Sequence, residues 1–144
     1  MPVLSIVVPC YNEEETIHPF LEATQKVEKD MANQLSFEYI FVNDGSKDKT
    51  LEVLREVADR YPKVHYISFS RNFGKEAGLL AGLEAATGDF ITVMDADLQD
   101  PPELLPNMYQ KIQEGYDVVG TRRTDRKGEP PIRSFFAKLF YKLI

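Results

Sequence analysis

Short apolar runs rich in β-branched residues recur along this chain, each followed by a polar turn and an amphipathic stretch. That alternation leaves few folds open. Leu4 to Val8 reads as a strand buried on both faces, stopped by Pro9. Phe37 to Val42, Val64 to Phe69, Phe90 to Met94 and the pair Val118-Val119 read as further strands. Between them lie helical patterns. Ile17, Phe20, Leu21, Thr24 and Val27 share one face, with the acids at Glu13 to Glu15 expected in the first turn. A second helix is expected from Asp48 as N-cap, burying Leu51, Leu54, Val57 and Ala58. A third, from Glu76 to Ala86, is made of small residues that allow close approach to a sheet. Pro101-Pro102 opens a fourth, with Leu104, Leu105, Met108, Tyr109 and Ile112 inside and Gly115 at its end. Strand and helix alternating in this way predict an α/β domain with a mostly parallel sheet flanked by helices.

In such sheets ligands collect outside the carboxyl ends of the strands. Five polar clusters fall at those ends: Pro9-Tyr11-Asn12-Glu13, Asp44-Gly45-Ser46, Asn72-Gly74-Lys75, Asp95-Asp97-Gln99 and Thr121-Arg122. The fourth is the most pointed chemically. Asp95 and Asp97 are two apart, which on an extended segment puts both carboxylates on one side. Like charges so placed need a cation between them. Hard oxygen ligands suit Mg2+ or Mn2+, which keep waters and take further oxygens from a substrate phosphate. Gln99 follows in the same alternation as a neutral oxygen donor. The competing reading is a solvated loop after a strand. Gly74-Lys75 lacks the earlier glycine of a P-loop, so that motif is rejected.

At 144 residues the chain fits one domain with a real core. The single cysteine, Cys10, cannot form an internal disulfide, which suits a reducing compartment. It reads as a small residue at a strand end, with no histidine placed to activate it; His18 and His65 read as structural. No signal-peptide pattern and no run of about 18 apolar residues is visible. The net charge of −6 conceals an asymmetry: Arg122 to Lys142 carries seven Lys or Arg against Asp125 and Glu129, a local +5 that leaves −11 elsewhere. A basic end on an acidic body suits an anionic surface or a phosphate, or is simply a solvated tail. Within it Ile132, Phe135, Phe136, Leu139, Phe140, Leu143 and Ile144 form a helical stripe. The expectation is an α/β domain over residues 1–124, with its ligand site at the carboxyl edge of the sheet, and a basic linker with an amphipathic helix over 125–144. That helix lies in a membrane interface or docks on its own domain or a partner. The pattern stops uncapped at Ile144, which reads as a piece of a longer chain.

Four segments taken together are specific. They are Val-Val-Pro-Cys-Tyr-Asn-Glu-Glu (7–14), Val-Asn-Asp-Gly-Ser-Lys-Asp (42–48), Arg-Asn-Phe-Gly-Lys-Glu (71–76) and Met-Asp-Ala-Asp-Leu-Gln-Asp-Pro-Pro-Glu (94–103). In order and spacing the chain resembles glycosyltransferase family 2, with the GT-A fold. The last segment, followed by Gly120-Thr121-Arg122, resembles the polyprenyl-phosphate branch, which contains dolichyl-phosphate mannose synthases and undecaprenyl-phosphate glucosyltransferases. The resemblance implies that Pro9, Tyr11 and Glu13 border a nucleobase and ribose and that Asp44 accepts a hydrogen bond from the base. It places Lys75, Asp95 and Ala96 at the nucleotide and makes Asp95, Asp97 and Gln99 the metal site, with Asp97 and Arg122 catalytic. Arg122, Arg133 and Ser134 would hold an acceptor phosphate. For Asp44 the competing reading is a plain turn residue, and for Asn72 and Lys75 a structural turn.

The implied function is inverting transfer of a sugar from a nucleotide-sugar donor, UDP-glucose ahead of GDP-mannose, to polyprenyl phosphate at the cytoplasmic side of the cell membrane. Implied partners are the donor, the lipid and the membrane surface, without nucleic acid; a homo-oligomer is allowed. Alternatives are transfer to a sugar hydroxyl in polysaccharide synthesis, and a catalytically incomplete nucleotide-sugar-binding module. Phosphatases of the haloacid-dehalogenase type also carry Asp-x-Asp, but after the first strand and trailed by Thr or Val. Here it follows the fourth and is trailed by Leu98-Gln99, so that class is set aside.

Overall fold

The computed structural model describes residues 1–122 and 136–142. The elements run β1 (Val3–Cys10), α1 (Ile17–Asp30), β2 (Ser36–Asn43), α2 (Thr50–Arg60), β3 (Val64–Ser68), α3 (Lys75–Ala85), β4 (Phe90–Val93), a short 3-10 turn (Pro102–Leu104), α4 (Leu105–Gln113), β5 (Val118–Arg122) and β6 (Phe136–Lys142). One six-stranded sheet has the order β3-β2-β1-β4-β6-β5. The pairs β1–β2, β1–β4 and β2–β3 are parallel, and β6 is antiparallel to both β4 and β5. The carboxyl ends of the four parallel strands, and of β5 beyond β6, therefore lie along one edge.

The strands sort their side chains by the period-two rule. Leu4, Ile6, Val8 and Cys10 of β1 join Phe37, Tyr39 and Phe41 of β2 on one face, where α1, α2 and α4 cover them with Ile17, Phe20, Leu54, Val57, Leu105 and Met108. Val7, Ile40, Val42 and Ile91 form the core of the opposite face, where α3 packs on β1 and β2. The helix faces follow the sequence periodicity: α1 buries Ile17, Phe20, Leu21, Thr24 and Val27, and α4 buries Leu105, Met108, Tyr109 and Ile112. The small residues of α3 do what small residues allow. A Cβ on Gly82 would stand 2.3 Å from Val7 Cγ1, so the helix lies against the strand with no room for a side chain.

Three local expectations are revised. Glu13 to Glu15 precede α1, which begins at Ile17. The reason lies in the next loop, where Glu13 N–H donates to Thr50 Oγ1 (2.8 Å) and Glu14 N–H to Asp48 Oδ2 (3.3 Å), holding the segment in a turn. Asp48 sits one residue outside the capping position of α2, yet its Oδ1 still accepts the Thr50 N–H at 2.9 Å. The third revision concerns the expected C-terminal amphipathic helix. Phe136–Lys142 is a strand, inserted between β4 and β5. The helical stripe misleads because the segment is dense in Phe and Tyr, which favour strands, and because the outer edge of β4 offers unpaired backbone groups that a strand satisfies.

A polar network closes the edge opposite the carboxyl ends. Glu38 accepts from Ser5 Oγ (2.9 Å), from Thr87 N–H (2.9 Å) and from Thr87 Oγ1 (2.6 Å), while Gly88 N–H donates to Ser5 Oγ (2.8 Å). Burial pushes the Glu38 carboxyl up, but these hydrogen bonds outweigh it and hold the group below its ordinary value of 4.5. The ionised form is thus favoured by folding. Its contribution is complete above pH 4.5 and is lost as pH falls through the lower folded value. The stability gap between wild type and Glu38→Gln, measured by urea unfolding, should be widest above pH 4.5 and close on acidification below it. At α3, Gly82→Ala should lower the urea midpoint, because overpacking against stiff Val7 costs ~1–3 kcal/mol against a helix-propensity gain of ~1 kcal/mol. Gly78→Ala, whose Cβ would meet Val42 at an ordinary 3.6 Å, should match or exceed wild type.

Candidate active site at the carboxyl edge of the sheet

The loops after β1, β2, β3 and β4 are tied to one another before any ligand is considered. Asn12, in the left-handed region at φ 54°, donates its N–H to Ser46 Oγ (2.9 Å) and accepts from Lys47 N–H at Oδ1 (2.8 Å). The central tie is Asp44. Its buried carboxylate accepts Phe73 N–H at 2.7 Å and Gly74 N–H at 3.0 Å, and its carbonyl accepts from Asn72 Nδ2 at 3.2 Å. Gly45 lets the two loops touch: at φ 65°, a Cβ there would fall 2.2 Å from the Arg71 carbonyl carbon. Asp44 is therefore more than a turn residue. A carboxylate has about four lone-pair sites, so two accepted N–H groups leave room for a ligand.

The clamp sets up Lys75. Gly74, at φ 102°, turns the chain into α3, and Lys75 is the helix's first residue. Its ammonium reaches across to Asp95 Oδ1 at 3.0 Å. Asp95 lies two residues past β4, and Asp97 and Gln99 follow in a turn rather than in an extended segment. The expected alternation is thus not what gathers them. Leu98 sits at φ 60°, a conformation costing a bulky L-residue ~1–3 kcal/mol, and its side chain packs against the core. Apolar burial holds a bend that keeps Asp97 and Gln99 at the same wall, and Asp97 Oδ1 accepts Gln99 N–H at 3.2 Å.

These loops enclose a cavity of about 270 Å³ lined by Pro9, Cys10, Tyr11, Glu13, Asp44, Lys75, Gly78, Asp95, Ala96, Asp97 and Gln99. The residues expected at the donor nucleotide or the metal line this one cleft, except Asn72, a candidate for the diphosphate alongside Lys75, whose side chain instead bonds the Asp44 carbonyl. Cys10 and Gly78 were not foreseen as lining residues. Gly78 is one helical turn beyond Gly74 at the carboxyl edge, and that spacing was the available signal. Burial, with Glu13 and Asp95 nearby, pushes the Cys10 thiol well up, which keeps it protonated and unreactive. Its Sγ–H donates to Val8 O. His18 pairs with Glu56 at 3.7 Å, and neither it nor His65 lines the cleft. Arg122 is the last residue of β5, opposite Phe136 in the register with β6. Arg133 and Ser134 lie outside the described residues.

Among the described residues the lining carries four carboxylates against the single ammonium of Lys75. Asp95, Asp97 and Gln99 supply hard oxygen donors on one wall, a set that fits Mg2+ or Mn2+ with positions open to phosphate oxygens. Among the described residues, no three His, Cys, Asp or Glu are grouped to hold a metal ion. A cation here would complete its shell with solvent or ligand oxygens.

The family profile of glycosyl transferase family 2 matches residues 5–140. The chain belongs to that family. It is 49% identical over 97% of its length to an uncharacterized glycosyltransferase, YkcC, of Bacillus subtilis (strain 168), covering 43% of that protein. It is 44% identical, again over 97% of its length, to the prophage bactoprenol glucosyl transferase homolog of Escherichia coli (strain K12), covering 45% of it. The chain thus spans somewhat under half of these relatives. In structure it resembles the mannosyltransferase PcManGT of Pyrobaculum calidifontis, solved with GDP-Man and Mn2+: TM-score 0.69 and 25% identity, over 85% of this chain and 36% of that one. The mixed α/β architecture is that of the GT-A glycosyltransferases.

The Asp44 clamp yields a direct test. Asp44→Ala should cost ~1–3 kcal/mol by leaving two N–H groups without their acceptor. It should also speed hydrogen exchange at Phe73 and Gly74 more than at amides of β1 or β2. Uniform exchange would mean the carboxylate does not tie the loops.

Proposed function

We propose that this chain is the donor-binding and catalytic part of an inverting, metal-dependent hexosyltransferase that moves a sugar from a nucleotide sugar to a polyprenyl phosphate at the cytoplasmic face of the membrane. One observation carries the reading. In a family 2 chain, the residues expected to hold a nucleotide diphosphate and its cation line a single cleft at the carboxyl edge of the sheet. The name of the bactoprenol glucosyl transferase homolog supports the lipid acceptor and glucose as the sugar, and UDP-glucose is the first donor to test. The GDP-Man complex of the structural neighbour keeps GDP-mannose as the second donor to test.

Tyr11, 42% exposed at the rim, offers a ring to the nucleobase, with Pro9 and Glu13 beside it at the ribose. Asp44 uses its remaining lone pairs on the base. Asp95, Asp97 and Gln99 would hold Mg2+ or Mn2+, whose chemistry is to neutralise charge on the departing diphosphate. Among the described lining residues Lys75 alone carries positive charge, so a cation at these carboxylates would help an anionic donor to charge balance. The acceptor phosphate loses its second proton near pH ~6 and is largely dianionic at neutral pH, so no side chain need deprotonate it. Its oxygen attacks the anomeric carbon in line, the bond to the diphosphate oxygen breaks, and the electron pair leaves on the nucleoside diphosphate. Inversion follows. Arg122, with Arg133 and Ser134, would orient the acceptor through the planar guanidinium fork.

Calorimetry with UDP against GDP in the presence of Mn2+ should give the tighter binding for UDP. Arg122→Ala should leave that binding unchanged and cut transfer to polyprenyl phosphate by about a hundredfold or more, the usual loss for an electrostatic contact to a reacting group. Donor binding without turnover on polyprenyl phosphate in the full-length chain would instead support the binding module.

A further inference from the structure

We propose that Lys75 occupies the carboxylate oxygen that a divalent cation requires, so that cation and nucleoside diphosphate bind as a coupled pair, with the ammonium passing from Asp95 to the diphosphate. The inference rests on the donor-site reading above and adds an order to it.

The geometry is specific. Lys75 Nζ stands 3.0 Å from Asp95 Oδ1, and Asp95 is the nearest of the expected metal ligands to β4. Asp95 has lone pairs to spare, but a divalent cation bound beside an ammonium on the same carboxylate brings two positive charges within a few ångströms, and they repel in a partly shielded cleft. Among the described lining residues Lys75 is also the sole cation, in a cleft that holds Glu13, Asp44, Asp95 and Asp97. Without a diphosphate the ammonium is shared between solvent and Asp95, which holds it at 3.0 Å. With a diphosphate present it has a second anion within the same cleft.

The backbone supports a swing of the side chain alone. Asp44 fixes Phe73 and Gly74, and Lys75 begins α3, so the stem is anchored while the side chain, 62% exposed, ends on four flexible methylenes. A cation arriving alone must displace the ammonium into water. A cation arriving with diphosphate finds Asp95 vacated. By linkage each ligand then tightens the other by the same factor.

The test is binding, not turnover. Free Mn2+ is followed by electron paramagnetic resonance during titration of the full-length chain, alone and with saturating UDP or GDP. For wild type, the nucleotide should tighten Mn2+ by about tenfold or more, within the usual range of coupled sites. Lys75→Met should bind Mn2+ severalfold more tightly without nucleotide, bind UDP more weakly without metal, and lose most of the coupling. Lys75→Arg, which keeps the charge, should retain it. If Lys75→Met leaves Mn2+ affinity and coupling at wild-type values, the exchange is wrong while the donor site stands. If no form binds Mn2+ with either nucleotide, the metal site and the exchange fall together.

Discussion

The two N–H groups that Asp44 accepts from Phe73 and Gly74 are the tie on which the site depends. β2 delivers the carboxylate and β3 delivers the loop; neither strand alone defines where α3 begins. Because the carboxylate is buried and accepts both N–H groups, the entry angle of α3 is fixed from beneath. Lys75 inherits that placement, and through Lys75 so does the charge on Asp95. The glycine seam of α3 completes the constraint from the side, since Gly82 permits contact with Val7 that a larger residue forbids. Hydrogen bonding sets the helix's start and packing sets its height.

The same clamp makes the cleft's electrostatics a property of several loops. Four carboxylates come from the segments after β1, β2 and β4, and the one lysine from the segment after β3. Such a distribution is expensive without a ligand, and the bend at Leu98 adds strain of its own. What holds it is the apolar layer beneath, where Leu98 packs on the same core as β1 and α4. Core and site are joined at that residue.

Much of this was readable in advance, and for identifiable reasons. Strands buried on both faces leave runs such as Leu4 to Val8, and the rule that ligands gather at carboxyl ends then placed Tyr11, Asp44, Lys75 and Asp95 together. The buried faces of α1 and α4 followed from periodicity, whereas in α2 Leu54 and Val57 are buried as expected but Leu51 is only half-buried. What escaped was long-range. Glu13 and Glu14 look helical until Thr50 and Asp48 capture their N–H groups from more than thirty residues away. The segment around Phe140 satisfies a helical stripe, but its aromatic density and the open edge of β4 make it a strand. Asp95 and Asp97 face one cleft as expected, yet through a turn at Leu98 that no local pattern announces.

The pairing of β4 with β6 has a consequence for synthesis. β4 ends at Val93, while its outer partner is not complete until Lys142. A chain emerging from the ribosome therefore carries the finished β3-β2-β1-β4 half, donor loops included, with the outer edge of β4 unpaired for the time needed to make some fifty further residues. An exposed edge of that kind recruits other chains. The antiparallel strand β6 covers the β4 edge and moves the sheet's margin out to β5, so yield should be most vulnerable in the interval before it docks.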